Sequence, residues 1–170
     1  MSQLASSIGV LLPEFIVALG GMGLMMLGVF MGERSQRLVS ALTVALFIIA
    51  SAAVLSGAPG RAVAFNGAFV ADDFARFVKL LILGGAALVL IMGQGFIVRQ
   101  KMDRFELPVL MAFSVLGMML MASAGSFITL YLSLELQSLA LYVLAAFDRD
   151  NLRSTEAGLK YFVLGAFRRA

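Results

Sequence analysis

The feature that most constrains this chain is a succession of apolar runs, each about as long as a bilayer is thick, joined by short segments that carry most of the charge. A hydrocarbon core of about 30 Å takes roughly 20 helical residues per crossing. Irregular backbone cannot face lipid, because its N–H and C=O groups would be left without partners. The 170 residues therefore allow about five or six helical spans and leave no room for a soluble catalytic domain. A content of 61% hydrophobic and 14% charged residues exceeds what a water-soluble surface of this size can hide. The chain has no Cys and no His. That excludes a disulfide framework, thiolate or imidazole metal ligands, haem or iron-sulfur ligation by those residues, and Ser-His or Cys-His nucleophiles. No cofactor is expected on this chain, so any redox group must sit on a partner. The net charge of +3 does not point to nucleic acid, because the positive residues are scattered through the joints.

The start, Met1 to Ser7, carries no Lys or Arg, and the apolar run behind it is longer than a signal-peptide core, so it is expected to stay attached as a first span. The spans read as roughly Ile8 to Met31, Leu38 to Ala58, Asp73 to Val98, Leu107 to Ala122 and Phe127 to Phe147, with an incomplete sixth over Thr155 to Phe167. Together they make one membrane domain over 1–170. The expected fold is thus all-α, a polytopic transmembrane helix bundle of about five full spans plus a truncated sixth. Pro13 falls at the entrance of the first span, where a missing N–H is tolerated. Asp72 or Asp73 opens the third, as acidic residues suit a helix N-terminus. The stretch from Arg61 to Phe69 reads as an interfacial loop. Arg34, Arg37, Arg99, Lys101, Arg104, Arg149 and Arg153 fall in alternate joints, against only Arg61 and Arg76 on the other side. The positive-inside rule then places the N-terminus outside, in the periplasm for a bacterial host. The sixth run is about thirteen residues before Arg168 and Arg169, short of the roughly 17 needed to cross. A chain ending there is expected to be a truncated form of a longer protein.

Four ionisable side chains fall within spans, and intramembrane charge marks an ion path by default. Glu14 lies in the first two turns of its helix, where the dipole favours a carboxylate and water is near. Lys79 sits about two turns into the third helix, able to pair locally or to snorkel outward. Glu135 is different. It lies about twelve residues, or roughly 18 Å, from the far end of its helix and cannot snorkel. Tyr131, Glu135, Ser138 and Tyr142 share one helical face expected to meet the bundle interior or water. The alternative for Glu135 is an acid kept neutral for packing. Lys160 has Glu156 at i−4 for a local pair; its other reading is a lysine whose proton is released when a carboxylate partner moves. The run Gly117 to Met121 reads as lipid-facing or core filler, and Gly28 with Gly32, or Gly84 to Ala87, as small-residue packing surfaces.

Leu130-Tyr-Leu-Ser-Leu-Glu135-Leu-Gln-Ser-Leu-Ala-Leu-Tyr142-Val, followed by Arg153-Ser-Thr-Glu-Ala-Gly-Leu-Lys160-Tyr-Phe-Val-Leu-Gly165-Ala, resembles the antiporter-like membrane subunit N of NADH-quinone oxidoreductase, respiratory complex I, most of all its alpha-proteobacterial form. Leu12-Pro13-Glu14, the segment Asp73 to Lys79 and Gly117 to Met121 add to the likeness. The resemblance implies a fold of about fourteen helices related to Mrp-type cation/proton antiporter subunits, of which this chain holds the N-terminal part. It implies a proton-translocating, non-redox subunit in the bacterial inner membrane, with Glu135 and Lys160 on the proton path and Glu14 and Lys79 as weaker candidates. NADH, FMN, iron-sulfur clusters and quinone are implied on partner subunits, and other membrane subunits of complex I and the lipid bilayer as partners. An Mrp-type antiporter subunit and an inactive truncated product are the alternatives. Where the resemblance implies Leu-Ser-Ser-Gly-Leu after Gly165-Ala166, this chain reads Phe167-Arg-Arg-Ala170. Loss of a single base in a plausible codon series produces that change, so a frameshift is expected.

Overall fold

The computed structural model describes residues 9–32, 35–57, 60–99, 104–148 and 152–167, without the side chains of 96–99. The expectations for Met1 to Ser7, for Arg34, Lys101 and Arg149, and for the ending at Arg168 and Arg169 fall outside these residues. Helix α1 spans Leu12–Met31, α2 Gln36–Ser56, α3 Asp73–Arg99, α4 Glu106–Ala122, α5 Phe127–Ala145 and α6 Leu152–Phe167. Between α2 and α3, strands β1 (Ala62–Ala64) and β2 (Phe69–Ala71) pair antiparallel, with Val63 opposite Val70. By length and composition, α1, α2, α5 and the Asp73–Gly95 part of α3 are able to cross a bilayer, while α4 is a shorter apolar helix of 17 residues.

The ends follow from local chemistry. Pro13 sits in the first turn of α1, where its missing N–H is one of the donors a helix leaves free in any case. Gly32 closes that helix at φ 71, the left-handed region open to glycine, and its N–H donates to the Gly28 carbonyl at 2.9 Å. Asp72 Oδ1 accepts the Ala75 N–H at 2.7 Å and caps α3. Ser126 does the same for α5, accepting from the Thr129 N–H at 3.2 Å. Ser126→Ala is expected to cost about 1 kcal/mol of stability and Ser126→Asp to retain most of it, measured as a shift in the detergent-denaturation midpoint. At the other end of α5, the Ser154 hydroxyl donates to the Ala145 carbonyl at 2.9 Å and ties the start of α6 to the end of α5.

Helices α1 to α4 enclose the core, with Val17, Phe47, Leu83, Leu90, Val115 and Met119 fully buried at its centre. Helix α5 packs along α4, and α6 along α5. The α4–α5 contact is close because Gly117 lies against the backbone at Ser133 and Gln137. In the sequence it belongs to the run Gly117 to Met121, and its role in packing is as a gap rather than a filler. Gly28 accommodates the Phe105 ring, whereas Gly84 and Gly85 have nothing within 4 Å of where a Cβ would stand.

One end of the bundle gathers the start of α1, the end of α2, the hairpin and the start of α3. It also holds the α4–α5 turn, which the hairpin joins through Val70 N–H to Ser123 O at 2.8 Å and Gly125 N–H to Ala68 O at 2.9 Å. This is the hairpin end. At the opposite end, Gln94 Nε2 donates to the Ser40 hydroxyl at 2.9 Å, linking α3 to α2 beside buried Gln36.

Candidate functional site

Glu14 and Lys79 meet. Their helices, α1 and α3, both begin at the hairpin end, and Lys79 stands about 9 Å along α3 from Asp73. Its Nζ lies 2.7 Å from Glu14 Oε1, and the two side chains are only 3% and 4% exposed. The sequence left Lys79 either a local partner or a route outward; the structure gives it a partner on another helix. The contact is a charge pair between two buried side chains. Neither carboxylate oxygen of Glu14 accepts a hydrogen bond among the described residues. Lys79 Nζ also stands 4.9 Å from the centroid of the buried Phe69 ring, a cation–π geometry. Thus β2 supplies a second anchor to the ammonium, one that the sequence reading of 61–69 as a loop had missed. Asn66-Gly67 between two apolar runs was the available signal for a hairpin.

A cleft of about 310 Å³ opens at the hairpin end and reaches Lys79, passing Arg76, Pro13, Val54 and Gly57. Arg76 pairs with Asp73 at 3.5 Å. Immediately deeper on the same helices, Val17 and Leu83 are buried in the apolar core.

Glu135 lies at the middle of α5, half-buried. Of the face it was expected to share, Tyr142 is buried, Ser138 is half-buried and Tyr131 is exposed. The buried side chains of α5 are Ser133, Ala140 and Tyr142. The helix is therefore turned so that Ser133 meets α4, leaving the face with Tyr131 outward. Tyr142 packs edge-on against Tyr161 and Phe162, with ring centroids at 4.8 and 5.6 Å, and this fixes α6 on α5. Lys160 is 69% exposed and sits 2.5 Å from Glu156 on its own helix. The ion pair at Lys160 is therefore the local one. The structure brings together Glu14 and Lys79, and it places Glu135 and Lys160 on adjacent packed helices.

The arrangement is one of membrane-length helices that hold Glu14 and Lys79 buried and Glu135 half-buried, the class of antiporter-like membrane helix bundles. Residues 124–169, which hold α5 and α6 with both Glu135 and Lys160, match the family described as NADH:quinone oxidoreductase/Mrp antiporter, TM. Within that class the likeness is to subunit N of NADH-quinone oxidoreductase. The chain is 54% identical over 164 residues to NADH-quinone oxidoreductase subunit N 1 of Rhizobium meliloti, covering 96% of this chain and 34% of the relative. It is 55% identical over 155 residues to the subunit N of Paramagnetospirillum magneticum, covering 91% and 32%. Its fold superimposes on a chain of respiratory complex I from Thermus thermophilus, solved with bound aureothin, at a TM-score of 0.74 and 29% identity, covering 91% of this chain and 33% of that one. The chain thus spans about a third of the length of these relatives. It carries part of an antiporter-like fold.

Proposed function

We propose that this chain is part of a proton-translocating membrane subunit of an NADH-quinone oxidoreductase, with Glu135 and Lys160 as steps on the proton path. The observation that carries the reading is the coincidence of the family match over residues 124–169 with both of these intramembrane charges. Glu14 and Lys79 form a second acid–lysine pair of the same chemistry. Hydride and electron transfer, with NADH, FMN, iron-sulfur clusters and quinone, belongs to partner subunits in this reading. The chain's own residues hold and pass protons. Coupling is electrostatic: a charge arriving on a neighbouring subunit changes the field at Lys160, and the change is felt at Glu135 on the next helix. Moving one charge against 100 mV costs about 2.3 kcal/mol, so successive small field changes suffice.

The hairpin end faces outward in this reading, because Arg37, Arg104 and Arg153 gather at the opposite end and positive residues favour the cytoplasmic side. The membrane is the bacterial inner membrane. In the full-length subunit, Glu135→Gln or Lys160→Ala is expected to lower the protons moved per electron pair by at least half, while the complex assembles and still reduces quinone. Unchanged stoichiometry in both variants contradicts the assignment. The description of the matched family also names the Mrp antiporters, which favours a second reading as a cation/proton antiporter subunit. Finding this chain's full-length form purified with quinone-reductase partners decides for the first.

A further inference from the structure

We propose that Glu14 and Lys79 form a proton-loading site with access from the hairpin end only, positioned by Phe69 of the hairpin. This rests on reading the pair as proton-handling and adds to it the side from which the proton comes. Two independent observations carry it. Glu14 is buried, its Oε1 faces Lys79 Nζ, and its Oε2 has no partner among the described residues; a buried polar atom in that position calls for water. The cleft supplies room for water: its 310 Å³ reaches Lys79, the partner of Glu14, from the hairpin end.

The other direction is closed. From Lys79 to Gln94, the next polar side chain along α3, is about 22 Å. That interval is lined by Val17, Phe47, Leu83, Ala86 and Leu90, which form one buried cluster with residues of α4; of the polar side chains buried there, Thr43 spends its hydroxyl on the Val39 carbonyl at 2.8 Å, and Ser114 sits on α4. The Ser40–Gln94 pair at the opposite end is on the far side of this plug. No hydrogen-bonded chain crosses it among the described residues.

Loading is a simple transfer. A hydronium in the cleft gives its proton to Glu14 Oε2, an O–H bond forms there, and the hydronium becomes water. Lys79 keeps its proton and its charge. Having lost its counter-ion, it is held by the electron-rich face of Phe69, already 4.9 Å away. Release reverses the step into the same cleft. Charged groups near the site are few. Helix α3 brings Arg76, which lines the cleft, with Asp73 beside it and Asp72 at the cap; Arg61 stands exposed before β1. Helices α1, α2 and α4 bring none at this depth, since their remaining charges are Arg37 and Glu106 at the opposite end.

The test uses the full chain in sealed, oriented vesicles, followed by infrared difference spectroscopy as the pH is stepped on one side at a time. A carboxylic-acid C=O band, identified by its loss in Glu14→Gln, is expected when the hairpin-end phase is acidified and is not expected when the other phase is. A band that answers to the opposite phase overturns the one-sided access while leaving the pair proton-handling. A band absent under acidification of either phase overturns both. Glu135→Gln is expected to leave the band in place, which separates this site from the path through α5. Phe69→Leu keeps apolar volume but removes the ring; the amplitude of the band at a given acidification is expected to fall, because the loaded state loses the ring that holds Lys79. An unchanged amplitude removes Phe69 from the site.

Discussion

Removing one partner of the Glu14–Lys79 pair is expected to destabilise the bundle by about 3–5 kcal/mol, because the remaining group is then a buried charge with nothing to balance it. Glu14→Ala and Lys79→Ala should each show this in detergent denaturation. The double variant Glu14→Leu with Lys79→Met is expected to recover most of the loss, since an apolar pair of similar volume removes the charge problem altogether. A double-mutant cycle reads the coupling directly. If the single losses simply add, the pair found at 2.7 Å contributes nothing as a pair.

Gly117→Leu is the second large effect. A Cβ at that position would stand 2.7 Å from the Gln137 nitrogen and 2.9 Å from the Ser133 oxygen. Both are backbone atoms of a helix, so no rotamer change relieves the clash and α4 must move away from α5. Overpacking of this kind costs about 1–3 kcal/mol. Under the proposed function it has a functional cost as well, since α5 carries Glu135 and supports α6. Gly84→Ala is the matched control, with nothing within 4 Å of the new methyl group. It is expected to be neutral, or to stabilise by up to about 1 kcal/mol through helix propensity. Comparing the two in denaturation midpoint and in proton translocation by the full-length form separates close packing from glycine flexibility.

Much of the architecture is legible because a bilayer imposes length on any helix that crosses it. The apolar runs and their polar joints locate α1 to α5, and the Asp at the head of α3 and Pro13 in α1 act at helix ends as their chemistry requires. Helix α6 begins at Leu152, earlier than the hydropathy of Thr155 to Phe167 indicates. Asn151, Leu152 and Arg153 are too polar as a group to register as span, but the Ser154 hydroxyl bond to Ala145 anchors that first turn. Of the hairpin, only the Asn66-Gly67 turn was legible. Its strands are three residues each, too short for alternation to show, and its pairing depends on contacts with the α4–α5 turn that lie far away in sequence.

The candidate charges were legible as single residues and not as pairs. Depth along a helix follows from counting, which is why Glu135 stands out at mid-helix. Which helices become neighbours does not follow from counting. Glu14 and Lys79 are distant in the chain, and each has a sufficient local explanation: a helix dipole for one, a snorkelling stem for the other. Only the packing of α1 beside α2 and of α2 beside α3 brings the first turn of α1 and the second turn of α3 together. For Lys160 the local explanation holds, because Glu156 one turn earlier is within reach and α6 packs on α5 through Gly158 and the Tyr142 contacts rather than through its charged face.

In the proposed function Glu135 is a carboxylate set inside the bilayer, beyond the reach of bulk water, and kept there for proton passage. Because the protein has no cysteine of its own, one substitution tests this cleanly. Glu135→Cys and, at the end of the same helix, Ser126→Cys are exposed in sealed vesicles to a bulky, membrane-impermeant maleimide from each side in turn. Rapid labelling of position 126 from the hairpin side is expected, with labelling of position 135 at least a hundredfold slower from either side. Labelling of position 135 as fast as position 126 from either face would contradict it.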